Sequence, residues 1–169
     1  MVERKYLAHF LDAKFDMTYK ASEYVRLGKD LEEYSEELNP EIEVTRNIIG
    51  EQSVKHSGYE VSGDVDPFYF EYDDSLSSKI ADLAMTRATG DACKTTMVDV
   101  LLKPGTTPEA TPTVVWAYRE DVVIAVNSIG GDTTGIQTPF TVYKAGNRVK
   151  GSWDVASKTF TPSNEEALS

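Results

Sequence analysis

Thr113-Val114-Val115-Trp116-Ala117-Tyr118, then Arg119-Glu120-Asp121, then Val122-Val123-Ile124-Ala125-Val126 is the stretch that decides the fold class. Both flanks are rich in β-branched and aromatic side chains, which pack well on a pleated surface. The charged triplet between them reads as a turn, so the stretch predicts a hairpin. The same signature recurs outward. Toward the C-terminus, Phe140-Thr141-Val142-Tyr143 and Arg148-Val149-Lys150 flank Gly146-Asn147, a second hairpin signal. Trp153 to Phe160 predicts a last short pair turning near Ser157-Lys158. Toward the N-terminus, Val98, Val100 and Leu102 share a face of one run, and Phe68, Phe70 and Tyr72 share a face of another. Glu41 to Arg46 sets Ile42 and Val44 opposite its charges.

One segment has helical spacing. Leu76, Ile80, Leu83, Ala84 and Arg87 follow Asp73-Asp74-Ser75, any of which can cap a helix N-terminus with a side-chain oxygen. Gly90 is placed to end it. Asp12 to Ser22 is aperiodic and reads as a loop, as does Lys103 to Pro112 with its three prolines. Ile129-Gly130-Gly131-Asp132-Thr133-Thr134-Gly135 reads as a glycine-rich turn. The apolar positions of the acidic stretch Asp30 to Glu43 fit a short helix or an irregular strand equally. The expected architecture is mainly β: a sandwich or small barrel of about nine short strands with one flanking helix and long loops. Residues 1–161 form one domain and 162–169 a polar, flexible tail.

Composition narrows the function. With 40% apolar residues the chain can build a core. A lone thiol, Cys93, cannot form an internal disulfide and fits folding in a reducing cytosol. No run approaches the length of a membrane span, and Met1 to Tyr6 lacks a signal peptide's apolar stretch. A net charge of −11 repels phosphate backbones and disfavours specific nucleic-acid binding.

Catalytic and cofactor patterns are missing. His9 and His56 have no second His or Cys at zinc-ligand spacing, and His9 lies in a strand-like run as a core or interface residue. No Ser sits in a Gly-x-Ser-x-Gly turn. Gly130 to Gly135 lacks the Lys and the following helix of a phosphate loop. Asp64 and Asp66 flank Val65 without the twelve-residue calcium-loop pattern. No catalytic, cofactor or metal residues are assigned, and the chain reads as a non-enzyme.

The order of motifs resembles the major tail tube proteins of long-tailed bacteriophages. Leu27-Gly28-Lys29 and Tyr34-Ser35-Glu36-Glu37-Leu38-Asn39-Pro40 precede Glu41 to Glu51, then Tyr59 to Asp64, then Phe68-Tyr69-Phe70 and the helix. Val122 to Val126, Gly130-Gly131-Asp132, and Tyr143 to Val155 with Gly146, Gly151 and Trp153 are similar to that family's final β half. The resemblance spans roughly residues 4–161. It implies six-membered rings that stack into a hollow tube, the conduit for DNA in the virion tail, made and assembled in the bacterial cytoplasm. It also implies a tail tip or initiator complex, a tape measure protein and a tail terminator as partners, with DNA crossing the lumen unbound. Tubes of contractile tails and of type VI secretion share the fold and are the first alternative. A ligand-binding β-barrel is the second.

Within that reading the long segments Asp12–Ser22 and Arg46–Asp66 are expected to be arms, since loops of such length are usually functional or disordered. Arg46, Glu51, Val54, His56, Tyr59 and Val61 are the expected inter-subunit residues. Glu32, Glu33, Glu36 and Glu37 are the expected acidic lumen residues.

Overall fold

The stretch from Val114 to Val126 is one continuous strand and not a hairpin. In the computed structural model, which describes residues 1–28, 31–102 and 114–163, the element order begins with a 3-10 turn Arg4–Tyr6. Strands β1 (Leu7–Asp12), β2 (Tyr24–Arg26), β3 (Glu36–Glu37), β4 (Pro40–Arg46), β5 (Gln52–Tyr59) and β6 (Ser62–Val65) follow. Helix α1 (Ser75–Thr86) and a 3-10 turn Gly90–Cys93 lead to β7 (Lys94–Leu101) and β8 (Val114–Val126). A small hairpin of β9 (Gly130–Asp132) and β10 (Gly135–Gln137) precedes β11 (Phe140–Asp154) and β12 (Thr159–Pro162). The proline-rich loop Lys103–Pro112 and most of the C-terminal tail, with Lys29 and Asp30, lie outside the described residues.

The triplet Arg119-Glu120-Asp121 does not turn because β7 pairs it on one side and distant side chains use its charges. Met97 faces Glu120 and Val98 faces Arg119 in the β7–β8 ladder. The Arg119 guanidinium lies 4.0 Å from the Tyr19 ring centre. Asp121 accepts from the Tyr19 hydroxyl at 2.9 Å, and Glu120 from Arg148 at 2.8 Å. Gly146-Asn147 likewise forms no hairpin. β11 runs through it, with irregular register between Lys144 and Val149 and both residues at positive φ. Such a break lets one strand bend while its ladder with β8 resumes beyond. Phe68 to Tyr72 forms no strand either. It holds only an isolated bridge from Tyr69 to Gln137, while Phe68 meets Phe140 edge-on at 5.0 Å.

The main sheet is a curled half-barrel in the order β2-β1-β7-β8-β11-β6-β3, with β12 on the far half of β11. Among the described residues the protein is mainly β with one α-helix. Its two long strands, β8 and β11, let the sheet bury opposite faces at its two ends. On one face Leu11, Met97, Val122, Ile124, Phe140 and Val142 pack beneath α1, which buries Leu76, Ile80 and Leu83. Asp74 caps that helix by accepting from the Leu76 N–H, as expected. Arg87 in the left-handed region ends it, and Gly90 instead opens the following 3-10 turn. On the other face Phe10, Tyr24, Val98, Val100 and Ala117 surround the fully buried Trp153. β12 packs so tightly there that a Cβ on Gly151 would stand 2.3 Å from the Thr161 carbonyl.

The loop after β1 is not an arm. The buried Asp12 carboxylate accepts from the backbone N–H groups of Lys14, Asp16 and Glu23, which folds the segment onto the sheet. Cys93 is buried in the core, as its size suggests. Among the described residues no helix is long and apolar enough to cross a membrane.

Candidate functional site

Strands β4 and β5 form a two-stranded sheet of their own, separate from the main sheet. Every residue of β4 is exposed, and so is every residue of β5 except Gly58. The hairpin is therefore a projecting arm. At its root, Asn39 takes a positive φ of 44°, which Asn tolerates better than most residues, and turns the chain out of β3. The Asn39 side-chain amide clamps the other side by donating to the Glu60 carbonyl at 3.0 Å. At the tip, the Asn47 side-chain oxygen accepts from the N–H groups of Ile49 and Glu51. The Gly50 N–H donates to the Asn47 carbonyl, closing a turn with Gly50 at positive φ.

The arm has one apolar and one polar face. Ile42 opposes His56, Val44 opposes Val54, and Arg46 opposes Gln52, so these side chains share a face. Glu43 opposite Lys55 and Thr45 opposite Ser53 form the other. Strict alternation would put Tyr59 on the polar face. A register shift between Glu41 and Ile42, at Gly58 with φ 149°, moves it to the apolar face, where its ring meets His56 at 4.6 Å. Ile48 and Ile49 add an exposed tip, at 104% and 74% exposure. Burying a side chain of this size is worth about 1.5–3 kcal/mol. Within the chain that gain is not collected, and clustered exposed apolar residues mark interaction surfaces.

Of the expected inter-subunit residues, the arm brings together Arg46, Glu51, Val54, His56 and Tyr59. Val61 lies apart from these. It belongs to the body, because its carbonyl accepts from the Lys144 N–H at 2.9 Å as the chain enters β6. The arm therefore spans Pro40–Tyr59 and not Arg46–Asp66.

Beside the root lies a cluster of charges across the sheet. His9 Nδ1 stands 2.6 Å from Asp99 and 3.0 Å from Glu36. Lys144, its side chain almost wholly buried, donates to Asp99 at 2.8 Å, and Arg148 joins Asp99 and Glu120. Burial acts most strongly on His9 and pushes its pKa down, but Asp99 and Glu36 together outweigh it and raise the value above that of an ordinary histidine. Asp99 would also be shifted upward by burial. His9 and Lys144 reverse this and hold the carboxyl well below the usual carboxylate range. His9, Glu36 and Asp99 have donor atoms close enough to share a metal. The Lys144 ammonium already supplies a cation there, so the arrangement works as a salt-bridge network.

The expected acidic group divides. Glu32, Glu33 and Glu37 are exposed. Glu36 is turned into the charged cluster with its side chain only 14% exposed. Glu33 and Glu37 instead line a depression with Asp64 and Asp66, contributed by and beside β6. That grouping was hidden because sheet pairing, not sequence proximity, creates it.

No protein-family model matches the chain, and no curated protein matches it in sequence.

Proposed function

We propose that this chain is the repeating structural subunit of a hollow tube, built from six-membered rings stacked head to tail, of the kind found in long-tailed bacteriophage virions. The observation that carries the reading is the Pro40–Tyr59 arm. It projects an apolar face that its own chain leaves uncovered. A subunit whose gain from burial waits on a neighbour is suited to assembly. The arm is a different surface from the body it must meet, so contacts are head to tail and can propagate. Core packing supports a structural role over a ligand-binding barrel, since Phe140, Leu11 and Met97 fill the sheet face beneath α1 and Trp153 fills the other face.

In this role the acidic surface keeps passing DNA unbound, with Glu32, Glu33 and Glu37 on or near the lumen. The partners are further copies of the chain, a tail tip or initiator complex that begins the tube, a tape measure protein inside it, and a terminator that ends it. The test is sedimentation over a wide concentration range. A tube subunit gives mass that keeps growing with concentration. A plateau at a closed dimer contradicts the reading.

A further inference from the structure

One face of the main sheet changes character along its length. Leu7, His9 and Leu11 of β1 pair with Leu101, Asp99 and Met97 of β7, so the six side chains share that face. At one end Leu11 and Met97 are buried beneath α1. At the other Leu101 is exposed, as is Trp116, which shares its face of β8 with the Tyr118 that pairs with Asp99. His9 lies between the two ends and is buried. Its cover comes from β3 and the residues just before it. The Tyr34 ring meets the imidazole edge-on at 4.8 Å, and Glu36 reaches it at 3.0 Å. Tyr34 is held firmly. Arg4 donates to its carbonyl at 2.8 Å, and its ring is seated so close to Gly63 that a Cβ there would stand 2.6 Å from the phenol oxygen. By contrast β3 is two residues long, ends the sheet, and among the described residues ladders only to β6.

Nδ1 of His9 carries one proton, and Asp99 at 2.6 Å is the nearer acceptor. Glu36 Oε1 is buried without a hydrogen bond. Lys144 stands 3.6 Å from it, beyond hydrogen-bond reach, so charge alone holds Glu36 in place. The cluster balances when His9 is protonated, because His9, Lys144 and Arg148 then face Asp99, Glu36 and Glu120. A neutral His9 keeps its hydrogen bond to Asp99 but leaves the carboxylates in excess, and an unbalanced charge is costly where water is excluded. Glu36 is the member that can leave without breaking a hydrogen bond.

We propose that β3 is a proton-operated latch, closed while His9 is protonated and released when His9 loses its proton, which frees the root of the β4–β5 arm beyond it. Burial lowers the His9 pKa, but Asp99 and Glu36 outweigh it. The latch is therefore closed below the ordinary histidine value of about 6.5 and opens as pH rises through the higher folded-state value. Protons reach the site through a cleft that His9 lines with Arg4, Lys5, Arg26 and Glu32. The device belongs to the single chain and does not depend on what the arm meets.

Hydrogen exchange of the full-length protein, corrected for the intrinsic pH dependence of amide exchange, tests the latch from about pH 6 to about pH 9, a range that brackets the histidine titration. Protection of the β3–β6 ladder, at Glu36, Glu37, Ser62 and Gly63, should fall by roughly tenfold or more as pH rises, since a buried ion pair is broken. The β7–β8 ladder should keep its protection. His9→Gln should show the low value at every pH, and Glu36→Gln should lose the pH response. A β3–β6 ladder whose protection does not change with pH overturns the proposal. So does an equal loss in β7–β8, which would be global unfolding, or a pH response that survives Glu36→Gln.

Discussion

His9 on β1 and Glu36 on β3 meet at 3.0 Å although four strands separate β1 from β3 in the sheet. The curl of the half-barrel brings its ends together, and a charge contact joins them where no backbone ladder does. The adjacent ring contact between His9 and Tyr34, at 4.8 Å, reinforces it. Glu36 lies just before the root of the arm, so this junction fixes where the arm leaves the body.

The junction makes stability depend on pH. The folded-state pKa of His9 is raised by Asp99 and Glu36 against the larger single effect of burial. Its contribution is therefore complete below the ordinary histidine value of about 6.5 and is lost as pH rises through the folded-state value. Melting temperature should exceed that of His9→Gln most clearly below neutrality, and the two should converge as pH rises. A difference that widens with pH would contradict the assignment.

Substituting the arm tip should separate folding from assembly. Ile48→Asp with Ile49→Asp changes only exposed side chains, so denaturant unfolding should shift by no more than about 0.5 kcal/mol per substitution. Assembly, followed by sedimentation, should be lost. Normal assembly of the double variant would remove the tip from the interface.

Trp153 is fully buried and anchors the second core against Phe10 and Tyr24. Trp153→Ala should cost about 3–5 kcal/mol in urea unfolding, through lost burial and the cavity left behind. A loss below about 1 kcal/mol would mean that this end of the sheet can collapse or is not cooperative with the rest.

Charge should set the threshold for assembly. At −11 the subunits repel one another. Screening shortens that repulsion from about 10 Å at 0.1 M salt to about 3 Å at 1 M. The concentration needed for assembly should therefore fall as salt rises. A threshold that rises with salt would contradict a charge barrier to assembly.

How much of this was legible depended on whether the deciding partners were local. The strands β4 and β7 and the cap of α1 follow from alternation and from Asp74, whereas β5 lies in a segment that reads as a long loop. The continuity of β8 does not. Arg119, Glu120 and Asp121 resemble a turn until Tyr19 and Arg148 are seen to take up their charges. Gly146-Asn147 suits a bend within a strand as well as a hairpin turn, and only the returning β8 ladder decides between them. Val54 and His56 were legible as arm residues, but the face of Tyr59 was not, because one register shift reverses the alternation. Trp116 and Leu101 read as ordinary strand residues. Their exposure appears only once the sheet has buried its other face.

Electron microscopy of the concentrated, full-length protein at low and high salt tests the central claim most directly. The account predicts hollow tubes of uniform diameter with a regular axial repeat, and six-fold symmetry in end views. Isolated monomers or two-fold dimers under every condition, including in the presence of a tail initiator complex, would contradict it.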